Sequence, residues 1–115
     1  MPISIKARKQ KARELQKTIR DDLKRIFHLS DDDVRSTSMG VTGSDVQLSS
    51  EAKRFYPFSI ECKCQENINV HQCLGQAITN AEKENLVPQL IFKRNRSEIF
   101  IVMRWDDWIK IYSKK

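Results

Sequence analysis

One short segment constrains the fold of this chain more than any other. After Pro57, apolar and polar side chains alternate along eight residues, with Phe58, Ile60, Cys62 and Cys64 interleaved with Ser59, Glu61, Lys63 and Gln65. Successive side chains on a β-strand point to opposite faces of the sheet. The segment therefore predicts a strand with one face in a core and a row of polar groups on the other face.

The surrounding residues predict an α/β fold. Apolar residues recur at three- and four-residue steps from about residue 8 to 28 and again from about Asn69 to Asn85, which is typical of two amphipathic helices. The other expected elements are short strands at Val34–Met39 and Asp45–Leu48, a β-hairpin of Gln89–Lys93 and Ile99–Met103 that begins after Pro88, and a C-terminal helix with Trp105, Trp108 and Ile109 in the core. This order predicts an α/β sandwich with a mixed sheet flanked by helices.

Length and composition limit the classes of protein to consider. The 115 residues suit one domain with a basic N-terminal arm and helix at about residues 1–28. No apolar run approaches the roughly 20 residues that span a bilayer, and the N-terminus lacks the apolar stretch of a signal peptide. Cys62, Cys64 and Cys73 lack zinc-finger spacing and are expected to be buried thiols. We therefore expect an intracellular protein without a membrane segment.

Positive charge is concentrated at the N-terminus. Residues 1–25 hold nine basic and three acidic side chains, which equals the net charge of +6 of the whole chain. A localised basic segment favours a polyanionic partner, although a solvated helix face remains an alternative. Lys93, Arg94 and Arg96 at the hairpin turn, and more weakly Lys53, are further candidates for phosphate contacts.

Asp45 and the segment Glu61-Cys62-Lys63 carry a pattern suited to metal-assisted phosphodiester hydrolysis. Carboxylates suit Mg²⁺, which is held by one or two of them and keeps several waters. Asp45 and Glu61 could supply these ligands together with the Cys62 carbonyl, while Lys63 would orient the attacking water or offset phosphate charge. Gln65 extends the polar row and is a candidate fourth member of the catalytic group.

Each of these residues also has a structural interpretation. Asp45 follows Gly43-Ser44 and could be a turn or cap residue, and Glu61 with Lys63 could form an ion pair on a half-exposed strand. Taken together and in this order, the residues favour the catalytic interpretation.

Asp45 and Glu61-Cys62-Lys63, in this strand setting, resemble the PD-(D/E)XK nuclease superfamily over roughly residues 10–103. The resemblance implies an αβββαβ restriction-endonuclease-like core and a Mg²⁺ cofactor for which Mn²⁺ substitutes. The Ser36–Gly40 loop and the basic first helix look most like archaeal-type Holliday junction resolvases and small phage nucleases. Residues expected to contact DNA are Arg8, Lys9, Lys11, Ser38, Lys53, Lys93, Arg94 and Arg96.

The chain also departs from the family pattern. Ser44 stands where the motif has its proline. Resolvases add a glutamate from the first helix to the catalytic group, for which Glu14 is the nearest candidate, although the register inferred from the family places Ala12 there. A helical polar residue that many relatives carry corresponds to Gln76.

The leading hypothesis is a metal-dependent endonuclease that cleaves branched DNA as a homodimer, because symmetric cutting of two strands needs two sites. Alternatives are a phage-type recombination or replication nuclease acting on duplex, flap or single-stranded DNA, and a nucleic-acid-binding module without catalysis. A phage-encoded protein would work in the host cytoplasm.

Overall fold

The computed structural model describes residues 5–37 and 43–113. In chain order, the elements are α1 (Ile5–Phe27), β1 (Val34–Ser36), β2 (Val46–Leu48), α2 (Ser50–Phe55), β3 (Phe58–Cys64), α3 (Val70–Glu84), β4 (Val87–Lys93), β5 (Phe100–Val102) and α4 (Trp105–Ser113). The strands form one mixed sheet in the order β1-β2-β3-β4-β5. The β3–β4 pair is parallel and the other three pairs are antiparallel. The predicted mixed sheet flanked by helices is confirmed.

Helix α1 covers one face of the sheet through a narrow apolar stripe. Leu15, Ile19 and Leu23 are buried at four-residue steps and join Ile60 and Cys62 of β3 in one hydrophobic cluster. The apolar half of the alternating strand therefore does face the core, and the thiols of Cys62, Cys64 and Cys73 are buried as expected.

Helix α3 lies on the opposite face, where small side chains let it approach the sheet. Cys73, Ala77 and Ala81 are its buried residues. The side chain of Asn69 accepts the backbone N–H of Gln72 at the N-terminus, and Asn85 ends the helix in the left-handed conformation with φ of 55°. These two caps fix the span of α3 and carry the chain from β3 to its parallel neighbour β4.

The expected start of the fourth strand was wrong. Strand β4 begins at Val87 and includes Pro88, which is paired in register with Ser59. The N–H of Val87 points toward β3 and donates to the carbonyl of Pro57. The backbone nitrogen of the next residue, Pro88, carries no hydrogen and points toward the β5 side. Because β5 pairs with Leu90 to Phe92, no ladder bond is lost at Pro88.

The C-terminal helix forms where expected, but its core assignment was wrong. Trp105 is 70% exposed, Trp108 40% and Ile109 39%. Helix α4 buries none of its residues within the described chain. The predicted strand from Val34 ends at Ser36, and Met39 lies outside the described residues. No helix among the described residues is long and apolar enough to cross a membrane.

Candidate active site

Asp45 lies where β2 and β3 separate. Val46 pairs with Ile60, and the Asp45 N–H donates to the Ile60 carbonyl at 2.8 Å. Further along β3, beyond Ile60, the N–H of Cys62 donates to Oδ2 of Asp45 at 2.7 Å. A side-chain carboxylate therefore ends the ladder, and the strands part beside it.

Glu61 and Lys63 lie on the β3 face opposite the α1 core. Their side chains approach each other, with Lys63 Nζ 3.7 Å from Glu61 Oε1. Glu61 is 8% exposed, which is low for a carboxylate. Since the contact exceeds hydrogen-bond distance, the pair leaves both groups able to bind another partner.

The two carboxyl groups share an environment that disfavours charge. Burial raises the pKa of Glu61 to about 7, the Asp45 carboxylate adds to the rise, and Lys63 opposes it. Burial also raises the pKa of Asp45, against the hydrogen bond from the Cys62 N–H and the charge of Lys63. A cation between Asp45 and Glu61 would relieve this cost.

A cleft of about 590 Å³ opens over these residues. Asp45, Glu61 and Lys63 lie on its sheet side. Its other lining residues are Gly43 and the α3 residues Gln72, Gly75, Gln76, Thr79, Asn80 and Lys83. The cleft therefore has a polar wall on each side and a positive charge on each, from Lys63 and Lys83.

A polar network supports the backbone just before Asp45. Ser44 is 4% exposed, its Oγ hydrogen-bonds to the hydroxyl of buried Ser59, and it donates to Glu84 Oε1 at 3.1 Å. Asn80 Nδ2 donates to the carbonyl of Gly43, which has φ of 107°. That φ favours glycine, because an L side chain rarely adopts it. The approach to Asp45 is thus tied to β3 and α3 at once.

The donor set fits a hard divalent cation with open coordination positions. Asp45 and Glu61 supply two carboxylates, and the Cys62 carbonyl lies on the same side of β3 as its N–H, which contacts Asp45. Among the described residues, no group of three or more His, Cys, Asp or Glu side chains forms a metal cage. Two carboxylates with waters match the usual magnesium arrangement.

The chain matches, over residues 9–115, the model of a family described as "Phage putative PDDEXK endonuclease". It belongs to the PD-(D/E)XK nuclease superfamily. The comparisons with curated proteins and with solved structures gave no match.

Only some of the residues that the sequence predicts for the PD-(D/E)XK site lie together in the structure. Asp45, Glu61 and Lys63 lie in one cleft, with Cys62 between the last two. Gln65 follows the end of β3, is exposed and does not line this cleft. Glu14 lies in a separate groove on the α1 side of the sheet, where it accepts a hydrogen bond from Gln10 at 3.2 Å. Neither side chain is placed beside Asp45.

Some of the predicted DNA-contacting residues of this PD-(D/E)XK chain lie together on the α1 side. Lys11 Nζ donates to Asn95 Oδ1 at 3.0 Å, which joins α1 to the hairpin turn. Lys11 and Lys93 line the same groove, of about 310 Å³, and Arg94 and Arg96 are exposed at its end. The other predicted contacts lie apart: Arg8 and Lys9 on exposed positions of α1, Lys53 on α2, and Ser38 outside the described residues.

Sequence reasoning missed most of the α3 wall. Gln72 was not among the residues predicted for the site, yet it lines the cleft beside Gln76. Asn80 and Lys83 were not considered. A signal was available, since these polar residues recur at three- and four-residue steps beside the apolar stripe of α3. No comparable signal marks the contact between Ser44 and Ser59, which are distant in sequence.

Proposed function

We propose that this chain is a divalent-metal-dependent DNA endonuclease, that residues 1–115 form one nuclease domain, and that Asp45, Glu61 and Lys63 carry the chemistry. The observation that supports this most directly is the convergence of the buried Glu61 carboxyl group, the half-buried Asp45 carboxyl group and Lys63 on one open cleft. Mg²⁺ suits this donor set, and Mn²⁺ would substitute. The family assignment makes DNA the expected substrate.

The carboxylates and the lysine of the cleft would have different roles in hydrolysis. Asp45 and Glu61, with the Cys62 carbonyl, would hold the cation. When bound, the cation would lower the pKa of a water molecule and stabilise negative charge on the phosphate. Lys63, whose Nζ is 3.7 Å from Glu61 Oε1, would orient the attacking water or neutralise a phosphate oxygen. The hydrogen bond from Cys62 to Asp45 holds one carboxylate oxygen and leaves the other to bind.

Basic groups near the carboxyl ends of β3 and β4 would position the DNA backbone. Lys93 pairs in register with Cys64, one residue beyond Lys63 in β3. Lys11, Arg94 and Arg96 extend this charge past the edge of the sheet. The cleft lies on the α3 side of the sheet and these groups lie on its α1 side, so a bound strand would reach both by passing over the carboxyl ends of β3 and β4. Contacts of this kind position the DNA backbone without reading its sequence.

For substrate preference, we favour branched DNA cut by a homodimer, because two linked sites suit symmetric incision of two strands. A nuclease that acts on duplex, flap or single-stranded DNA during phage replication or recombination uses the same residues. The two differ in the DNA structure they select, which an activity panel separates.

The test is cleavage of labelled four-way junction, flap, duplex and single-stranded DNA with Mg²⁺, Mn²⁺ or EDTA. Wild type is compared with Glu61→Gln and with Glu66→Gln, a matched change at an exposed glutamate just beyond β3. We expect cleavage with either metal, none in EDTA, and a large loss in Glu61→Gln alone. Metal-independent cleavage, or binding with no cleavage of any substrate, would reject the nuclease assignment. Equal cutting of linear duplex and junction would reject only the preference for branched DNA.

A further inference from the structure

A glycine interrupts the side chains of the cleft wall that helix α3 forms. Gly75 lies in the interior of α3 and lines the cleft together with Gln72, three residues before it, and Thr79, four residues after it. Residues at these spacings share one side of a helix. The wall that faces the candidate catalytic groups therefore has a gap in its side chains at Gly75.

Neither the backbone nor the packing of the described chain requires glycine at this position. Gly43 is the described glycine with a positive φ, whereas Gly75 lies within a regular helix. Apart from the adjoining helix backbone, a Cβ atom at Gly75 would meet no described atom within 4 Å. Glycine inside a helix is unfavourable relative to alanine, because more backbone freedom is lost on folding. Alanine at this position would therefore stabilise the fold.

Close approach of a ligand explains the glycine. Without a Cβ atom, the helix backbone at Gly75 can be reached directly from the cleft. The gap extends along the helix to Thr79, whose hydroxyl donates to the Gly75 carbonyl at 3.1 Å, so that this short side chain lies against the helix. Gly75 and Thr79 together form a shallow depression, which we call the α3 trough.

The groups around the α3 trough suit the sugar–phosphate backbone of a nucleic acid better than its bases. Gln76 and Lys83 carry N–H donors at the same wall, and such donors bind phosphate oxygens. Among the described α3 residues that line the cleft, none is acidic and none is aromatic. Binding of unpaired bases typically uses aromatic side chains on which the bases stack.

We propose that the α3 trough seats the sugar–phosphate backbone of the cleaved DNA strand, and that Gly75 leaves the room for it. The inference rests on the proposed function, since it states how the same cleft takes its substrate. A strand in the trough would lie across the cleft from Glu61 and Lys63, so bulk at Gly75 would keep the strand away from them.

The test adds bulk at Gly75 and measures stability and DNA binding in the same variants of the full chain. Gly75→Ala and Gly75→Leu are compared with His71→Leu, a change at an exposed position of α3 that does not line the cleft. Binding of labelled single-stranded, duplex and four-way-junction DNA is measured in EDTA at about pH 8, where an ordinary histidine is neutral. Cleavage of the same DNA is measured with Mg²⁺.

Stability and binding should change in opposite directions. We expect Tm to rise by about 2–5 °C in Gly75→Ala, because less backbone entropy is lost in the helix. The dissociation constant for DNA should rise about threefold in Gly75→Ala and at least roughly tenfold in Gly75→Leu, because added atoms overfill the contact. His71→Leu should leave this constant within about twofold of wild type, as for an ordinary surface change.

The dependence of binding on salt separates a steric effect from a loss of charge. Gly75→Leu removes no charge, so the slope of the logarithm of the dissociation constant against the logarithm of salt concentration should equal that of wild type. Lys83→Gln should flatten this slope by about one. Equal flattening in Gly75→Leu would overturn the proposal, because it would mean that phosphate contacts elsewhere are lost.

Two further results would overturn the proposal. A fall of Tm in Gly75→Ala would show that the glycine serves the fold. DNA binding that Gly75→Leu leaves unchanged, or that is absent in wild type, would show that no DNA strand occupies the trough. If wild type cleaves DNA and Gly75→Leu binds and cleaves equally well, only this inference fails. If wild type cleaves nothing but binding follows the expected order, only the proposed function fails.

Discussion

Ile60 and Glu61 are neighbours in β3, yet they face opposite sides of the sheet and meet opposite requirements. Ile60 is fully buried among the side chains below α1, where burial of apolar surface stabilises the fold. Glu61 is also largely buried, but its burial raises its pKa to about 7, so the charged form is disfavoured. One face of β3 therefore stabilises the fold, and the other face holds the candidate catalytic groups. The burial of the charged form of Glu61 on that second face lowers the free energy of unfolding.

Removal of the charged groups on the cleft face should have the largest effect on activity. We expect Lys63→Ala and Glu61→Gln each to lower kcat about 10³-fold, because each deletes a charge that acts on the phosphate or the cation. The free energy of unfolding should change by less than about 1 kcal/mol in Lys63→Ala, since this side chain is partly exposed. Single-turnover cleavage and urea unfolding measure the two quantities. If Lys63→Ala lowered the free energy of unfolding by as much as it raised the activation free energy of cleavage, the two faces of β3 would not have separate roles.

Truncation on the core face should show the reverse pattern. Ile60→Ala removes a fully buried side chain and is expected to cost about 2–5 kcal/mol of unfolding free energy. Cleavage per folded molecule should stay within a few-fold of wild type under conditions where the variant is folded. The informative contrast is Leu48→Ala, at a half-buried position of β2, which should cost less. A large fall in kcat for folded Ile60→Ala would show that the faces are coupled.

The cost of burying Glu61 should appear as a dependence of stability on pH. The pKa of Glu61 rises from 4.5 to about 7 in the folded protein, so the folded state binds a proton more tightly than the unfolded state. Stability from this group is present below pH 4.5 and is lost as the pH rises to about 7. Without metal, Glu61→Gln should therefore gain about 1–2 kcal/mol relative to wild type across this range, after allowance for screening by water. Thermal unfolding in EDTA at several pH values measures the difference, and a pH-independent difference would contradict it.

The smallest expected effect concerns the support of Asp45. A double-mutant cycle with Ser44→Ala and Ser59→Ala should give a coupling energy of about 0.5–1 kcal/mol, because the two buried hydroxyls hydrogen-bond to each other. Thr79→Ala, which removes an exposed hydroxyl that donates within α3, is a suitable control. A coupling near zero would mean that the network does not hold the backbone before Asp45.

The sequence predicts the elements better than it predicts contacts between them. The alternation at Phe58–Cys64 and the four-residue steps of α1 are local patterns, and both strands and helices follow from them. Asn69 and Asn85 end α3 where expected because a capping side chain acts on its own neighbours. Pro88 was misplaced because its tolerance depends on where a distant strand, β5, stops.

Candidate site residues divide in the same way. Glu61 and Lys63 could be paired from strand alternation alone, and Asp45 joined them through the family resemblance. Whether Glu14 or Gln72 reaches the cleft depends on which face of the sheet each helix covers, and periodicity does not encode that. Periodicity likewise predicted an apolar stripe in α4 but not that the described chain leaves it uncovered.

The hydrogen bond from the Cys62 N–H to Asp45 makes one backbone amide a reporter of the site. In a nitrogen–proton correlation spectrum, the position of this amide signal depends on the charge and orientation of the carboxylate that it contacts. Titration of Asp45, or coordination of a cation by it, should therefore move the Cys62 resonance while the amide of Ile19 on α1 stays in place. Ligand binding could thus be followed without any substrate and without turnover.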